Sequence, residues 1–336
     1  MAKGMSKYPG ARISVSKILI RLAILFVILA ILLISYVALT AKTANKLMSI
    51  QRSELTDIPS NILPTYSPTS FSSFDGQTTL SGWFFQTDDP ISTIIIVHDA
   101  GSNRMPFGVD TVDLIEDMLS AGYNVFLFDQ RNSGESEDGI CGYGYLEWQD
   151  VIGAIDQVRK ISITTNVILY GIGVGCSSSL LALDKLPEPG EYDDSYSDDI
   201  LALNFDRSYV IGIILDSPAK HSDDYITPLV KKASKFGFIT KYFVPYAIRI
   251  SAGESENVNF TAEISRLAVP VCIMYGENDT FIGSDVISQI VDERMHLHEN
   301  TTSAYVFPDA EYTKAYETDP ETYRYDIIEF LSMHFQ

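Results

Sequence analysis

Cysteine is scarce in this chain: Cys141, Cys176 and Cys272 are the only three in 336 residues. An odd number at these spacings matches no zinc pattern and does not indicate a disulfide framework, although a single Cys141 to Cys176 bridge is compatible with it. Cys272 falls in an apolar run, where a thiol behaves as a small apolar side chain. Basic residues are also few, 24 Lys and Arg against 44 Asp and Glu, for a net charge of -20. A field of that sign disfavours nucleic acid and other polyanions. No internal repeat or low-complexity tract is present, and no cofactor or metal is indicated. Gly171-x-Gly173-x-Gly175 lacks the third glycine at the spacing of a dinucleotide fingerprint. Asp193, Asp194, Asp198 and Asp199 lack EF-hand spacing, and His296-x-His298 does not place both imidazoles on one helix face. His221 and His334 have no evident partner.

Acids are missing altogether from residues 1–52, which hold eight Lys and Arg. Beyond Arg52, 16 cations stand against 44 acids, so the remainder is near -28. Within the acid-free part, Leu22 to Leu39 reads LAILFVILAILLISYVAL without a charge. With Ile18 to Ile20 before Arg21, whose long side chain can snorkel, this run is long enough to cross hydrocarbon as a helix. It predicts a basic segment over 1–17, a transmembrane signal anchor over 18–41 and a linker over 42–70 rich in Ser, Thr and Pro. A cleaved signal peptide ending at Leu39-Thr40-Ala41 is the rival, but such apolar regions usually span about 7 to 15 residues, which favours the uncleaved anchor. The cations before the run favour a cytoplasmic N-terminus, placing the acidic body outside the cytoplasm.

From residue 71 to 336 the chain alternates strands with helices. Thr79 to Gln86, Thr93 to His98, Asn124 to Phe128, Val167 to Tyr170, Tyr209 to Leu215, Val269 to Tyr275 and Ala304 to Phe307 read as strands. Asp110 to Ala121, Glu147 to Ile161, Cys176 to Leu186 and Glu321 to Met333 read as helices. Fully apolar strands between helices predict an α/β domain with a mostly parallel sheet covered on both faces. An acidic insertion, Glu188 to Asp206, and a longer excursion over 219–265 with two expected helices break the alternation. The second is the candidate cap.

A strand, then G-x-S-x-G, then a helix is the turn that lifts a nucleophilic serine above a parallel sheet, the glycines permitting the tight bend. Here NVILY runs into Gly171-Ile172-Gly173-Val174-Gly175, then Cys176 and SSSLLAL. Both outer glycines fix the frame, so the serine position is Gly173. Cys176, Ser177 and Ser178 lack flanking glycines at that spacing.

The surroundings resemble the α/β-hydrolase superfamily, in particular bacterial single-span members of the serine-aminopeptidase or esterase-like kind. IIIVHDAGSNR (Ile94 to Arg104) is similar to the family's strand and HG-x-G-x-x-R loop. GYNVFLFDQRNSGES (Gly122 to Ser136) is similar to its Asp-x-Arg-x-x-Gly-x-Ser run, and GYGYLEWQDV (Gly142 to Val151) to the opening of its next helix. The resemblance implies an oxyanion site built from the backbone amides of Ala100 and Val174, and a triad in the order nucleophile, acid, base. VPVCIMYGENDTFI puts Asp279 at the acid position, and AYVFPDAEYTKAY puts Tyr312 where the family carries histidine. A comparable glycine substitution occurs in the non-catalytic N-myc downstream-regulated family.

Glycine cannot attack a carbonyl, and a phenol of pKa near 10 cannot act as a general base near neutrality. The residues therefore predict a membrane-anchored pseudo-hydrolase that binds a small-molecule or protein ligand. The competing expectation is an active esterase or peptidase using other residues, such as Ser102, Ser177, Asp279 or Tyr312. In either case His98, at the end of a buried strand, is expected to support the oxyanion loop.

Overall fold

The sheet is set by runs of β-branched and aromatic residues that are strongly stabilised by leaving water. In the computed structural model, which describes residues 15–336 apart from 56, 57, 60 and 195, eight strands form one sheet. They are β1 (Tyr66–Ser72), β2 (Thr79–Phe85), β3 (Ser92–Val97), β4 (Tyr123–Phe128), β5 (Val167–Ile172), β6 (Val210–Asp216), β7 (Val271–Gly276) and β8 (Thr302–Phe307). Their order is β1-β2-β4-β3-β5-β6-β7-β8. β2 runs antiparallel to both β1 and β4, and from β4 to β8 every pairing is parallel.

Alternation along β3 shows how the layers form: Ile95 and Val97 enter one core while Ile94 and Ile96 enter the other. Each fully buried side chain of this size contributes on the order of 2–3 kcal/mol. The first core packs against α3 (Trp148–Ile161), α4 (Val174–Lys185), α9 (Phe260–Arg266) and α10 (Ser284–His298). The second packs against α2 (Thr111–Ser120), α11 (Ala315–Thr318) and α12 (Pro320–Phe335). The acidic insertion contains one short helix, α5 (Asp198–Leu201). The 219–265 excursion holds more than the two helices expected: α6 (Ser222–Ala233), α7 (Gly237–Thr240), α8 (Val244–Ser251) and most of α9. The breaks between them are short, which hides them from a reading based on periodicity alone.

At the other end, α1 runs from Val15 to Met48 and is long and apolar enough to cross a membrane. The basic segment expected over 1–17 falls outside the described residues as far as residue 14. Residues 42–48 continue the helix rather than opening a linker. Ala44, Lys46, Leu47 and Met48 are good helix formers, and Thr40, Thr43, Ala44 and Met48 are buried against the body. The far end of the expected linker is also structured, because Tyr66 to Ser72 form β1. Its Ser, Thr and Pro content masks it as a strand, yet β1 is an edge strand, the place in a sheet where Pro68 is tolerated.

Candidate active site

The loop after β3 is built on a buried ion pair. Arg104 donates through Nε and Nη2 to Asp129 Oδ2 at 2.9 and 2.5 Å, and its backbone N–H donates to Oδ1 at 2.6 Å. Both side chains are essentially inaccessible to water. Removing one partner of such a pair strands the other charge and costs about 3–5 kcal/mol. His98 braces the same loop. Gln130 N–H donates to His98 Nε2 at 3.0 Å, which fixes the ring proton on Nδ1, from where it reaches the Asp99 carbonyl at 2.8 Å. Burial holds the imidazole pKa below its ordinary value, so His98 is a neutral structural ring.

The turn from β5 into α4 pivots on Gly173, with φ 55° and ψ -119°. That backbone conformation strains any L side chain. The outer glycines of the motif have a different cause. A Cβ at Gly171 would come within 2.6 Å of Cys176 N and Gly175 O, and one at Gly175 would collide with the Val97 carbonyl. Space at Gly173 is already taken: an added Cβ would lie 2.5 Å from both Cγ and Oδ1 of Asp99 and would meet the Tyr312 hydroxyl as well.

Asp99 thus occupies the hollow in front of the turn. Its Oδ1 accepts from the backbone N–H of Ala100 at 2.8 Å, from that of Val174 at 2.8 Å, and from the Tyr312 hydroxyl at 3.1 Å. Both amides singled out from the sequence thus donate to a carboxylate of the chain itself. Burial pushes the Asp99 pKa up to about 6, against the opposing pull of the three donors. The Tyr312 phenol is moved well above its ordinary value, first by burial and then by the neighbouring Asp99 charge. At neutral pH it can donate a hydrogen bond but has none of the character of a base.

Asp279 stands apart from this cluster. Its Oδ1 accepts the backbone N–H groups of Phe281 at 2.8 Å and Ile282 at 2.9 Å, closing the turn after β7, while Oδ2 is buried without a hydrogen-bond partner. Phe281 packs on the Tyr312 ring with centroids 4.5 Å apart. Acid and phenol are therefore neighbours through an aromatic contact, but the hydroxyl bonds Asp99 rather than Asp279.

The nearby serines and cysteines take part in the packing of the loops and helices. Ser177 is fully buried and bonded to Ser222 and the Tyr143 carbonyl. Ser102 contributes its backbone N–H to the Asp99 carbonyl, 3.1 Å away, as part of the loop turn. All three cysteines are free, so the Cys141 to Cys176 bridge is not formed. Cys176 donates to the Gly171 and Asp216 carbonyls, both at 3.2 Å, and burial raises its thiol well above the ordinary pKa. Among the described residues no imidazole hydrogen-bonds the carboxylate of Asp99 or Asp279. His221 lies at the start of α6 beside Asp224, and His296 and His298 close α10. No cluster of three or more His, Cys, Asp or Glu suited to a metal occurs among those residues.

Two cavities flank the site. One of about 350 Å³ is lined by Pro228, Lys232, Thr280, Phe281, Glu311, Tyr312 and Lys314. The other, about 20 Å³, lies between the loop after β3 and the chain following α1, with Ile50, Gln51, His98, Ala100 and Gly101 in its wall. It has room for about one water. That chain is held down along its length. Cys141 N–H donates to the Met48 carbonyl at 2.8 Å, Asn132 to the Ile50 carbonyl at 3.0 Å and Gly134 N–H to the Ser53 carbonyl at 2.9 Å.

The aspartate at position 99 escaped the sequence reading. The family loop begins His-Gly, whereas this one reads His98-Asp99. That single departure was the available signal, and only the folded loop shows the carboxylate turning into the amide pair.

Strand order, the strand-turn-helix at Gly173 and the loop after β3 together define the α/β-hydrolase fold, and structural comparison agrees. The esterase Pf2001 of Pyrococcus furiosus superposes with a TM-score of 0.62 at 19% identity, covering 85% of this chain and 97% of that one. The α/β hydrolase GrgF of Penicillium sp. sh18 superposes with a TM-score of 0.55 at 13% identity, covering 81% and 99%. In sequence, the uncharacterized protein YqkD of Bacillus subtilis (strain 168) is 21% identical over 253 residues, 75% of each chain. No family model matches the chain.

Proposed function

We propose that Gly173, Asp279 and Tyr312 stand at the nucleophile, acid and base positions of this fold, and that the protein is a membrane-anchored pseudo-hydrolase acting by binding. The observation that carries this reading is Asp99. Its carboxylate oxygen sits on the Ala100 and Val174 amides, the donors that stabilise an acyl-transfer oxyanion in an active enzyme of this fold. The loss is then threefold and coordinated. No nucleophile is present at the turn, the base position carries a phenol, and the anion site is filled from within. Binding in the cavity beside Tyr312 would not need any of the missing groups.

The test uses the full-length chain, short-chain esters and a fluorophosphonate probe. The unmodified protein and Gly173→Ser/Tyr312→His should both fail to react, because Asp99 still blocks the turn. Labelling should appear only when Asp99→Gly is added to that pair. Turnover by the unmodified protein would sink the reading in favour of a hydrolase working through Asp99 and Tyr312.

Single-pass anchoring by α1 is supported by its apolar length and by its packing on the cap. Tyr36 reaches the Ile239 carbonyl at 3.4 Å and meets the Phe243 ring edge-on at 5.5 Å, while Lys46 donates to the Ala233 carbonyl at 3.1 Å. Cleavage after Ala41 would cut this packed helix in two. The excess of cations before the apolar run supports an extracytoplasmic body. Because the native thiols are all buried, Ile163→Cys provides a single exposed reporter. It should react with an impermeant maleimide in whole cells. Protection until the cells are lysed would reverse the orientation.

A further inference from the structure

The body is strongly acidic, but one stretch of it is not. Between Asp224 and Glu254 the chain carries no Asp or Glu for 29 residues, while Lys231, Lys232, Lys235, Lys241 and Arg249 fall inside it. The same stretch exposes aromatic side chains that a core would normally claim. Phe236, Phe238, Ile239, Tyr242, Phe243 and Tyr246 are all exposed, Phe238 and Tyr242 at 68% and 72%. Apolar groups gathered on one small element and rimmed by cations mark a contact surface rather than a solvated one.

Its position says what the surface meets. α7 and α8 lie against the C-terminal part of α1: Tyr36, in contact with Ile239 and Phe243, is three residues before the end of the uncharged run at Leu39. The exposed rings are therefore level with the point where α1 would leave hydrocarbon. Aromatic residues and snorkelling lysines are the side chains favoured at that depth. Lys241 already lies over the Tyr242 ring, 4.6 Å from its centroid, an arrangement that keeps the ammonium beside an immersed aromatic.

We propose that residues 225–253 of the cap dock onto the surface of the bilayer that α1 spans, with the rings in the interfacial layer and the four lysines on anionic headgroups, while Arg249 stays paired with Asp223 at 3.1 Å. This rests on the reading of α1 as a membrane anchor and adds a second, independent point of attachment. It also sets the cavity beside Tyr312 close to lipid, since Pro228 and Lys232 belong to both the cap and the cavity wall.

The full-length chain, reconstituted in vesicles of phosphatidylcholine with about one-third phosphatidylglycerol, tests it by tryptophan quenching with lipids brominated near the top of the acyl chain. Three variants are compared with the parent, whose own two tryptophans set the background. Phe26→Trp reports on α1, Phe238→Trp on the cap, and Ile163→Trp on an exposed position in the turn before β5. Quenching of the added emission by more than half in Phe238→Trp, with none in Ile163→Trp, is the expected result. It should weaken when Lys231, Lys235 and Lys241 are all changed to Glu. Quenching in Phe26→Trp alone would keep the anchor and overturn cap docking. Quenching in Phe238→Trp but not Phe26→Trp would keep the docking and overturn the anchor. An unquenched Phe238→Trp emission that shifts to the blue as the protein-to-lipid ratio rises would make a second copy of the chain the occupant, which also overturns the proposal.

Discussion

Two carboxylates near the turn have opposite fortunes. One oxygen of Asp99 takes two backbone amides and a phenol. Asp279 uses one oxygen to close its own turn and leaves the other buried with nothing to accept. An unpartnered buried oxygen typically costs about 1–3 kcal/mol, so Asp279 is poorly explained by stability alone. Under the proposed reading it fits an acid position whose donor is missing, whereas the Asp99 oxygen is fully engaged. On the proposed reading, simple erosion of a triad would leave empty places. Here one carboxylate oxygen lacks a donor and another has three.

The contrast can be broken by substitution, and the largest effect belongs to the turn. Gly173→Ser should destabilise the protein by about 3 kcal/mol in denaturant unfolding, from a side chain forced onto Asp99 and Tyr312 at a strained φ. In an Asp99→Gly background the cost should fall by at least about 1 kcal/mol. Additive costs in the double-mutant cycle would mean that Asp99 does not occupy the serine's place.

Asp99→Asn comes next and carries a pH signature. The folded-state pKa is raised from 3.8 to about 6. Below the lower value the carboxyl is protonated in folded and unfolded chains alike, and its site imposes no penalty. As pH climbs from there through about 6, the unfolded chain ionises freely while burial resists the charge in the folded one, and stability is lost. The asparagine keeps an acceptor for the two amides and never ionises. It should therefore be more stable than the parent by about 3 kcal/mol at pH 8, the gain shrinking toward zero by pH 4. A gain independent of pH would remove the charge from the explanation.

The smallest effect sharpens the other half of the comparison. Asp279→Ala, which opens the turn, should cost about 1–2 kcal/mol, but Asp279→Asn should stay within about 0.5 kcal/mol of the parent. Its amide oxygen can serve the Phe281 and Ile282 N–H groups, and the oxygen replaced by nitrogen has no partner to lose. A large penalty for the asparagine would reveal an interaction of Oδ2 that the fold as described does not contain.

Most of the architecture was readable in the sequence because strands such as TIIIVH and VCIMY are apolar on both faces, which leaves few alternatives to a covered parallel sheet. Gly173, Asp279 and Tyr312 could be singled out in the sequence because each sits at a fixed offset from a strand end, and the roles proposed for them rest on those offsets. Three features were not, for separate reasons. β1 hides behind the composition of a linker, since an edge strand with one exposed face has little need of apolar residues. The end of α1 and the chain through Ser53 look like a stalk because their partners, Cys141, Asn132 and Gly134, lie some 80 or more residues away. Asp99 looks like an ordinary loop residue until the loop closes, and its meaning depends on where two backbone amides point.

The hydrogen-bonded passage from α1 into the body has a mechanical consequence. A coil of the 29 residues from 42 to 70 would let the body wander through about 30 Å and face any direction. A helix packed to Met48 and a strap fixed at Ile50 and Ser53 leave no such freedom, so tilt or rotation of α1 must turn the body with it. Two chains that paired through this helix would present their Asp99 sites at one fixed mutual angle.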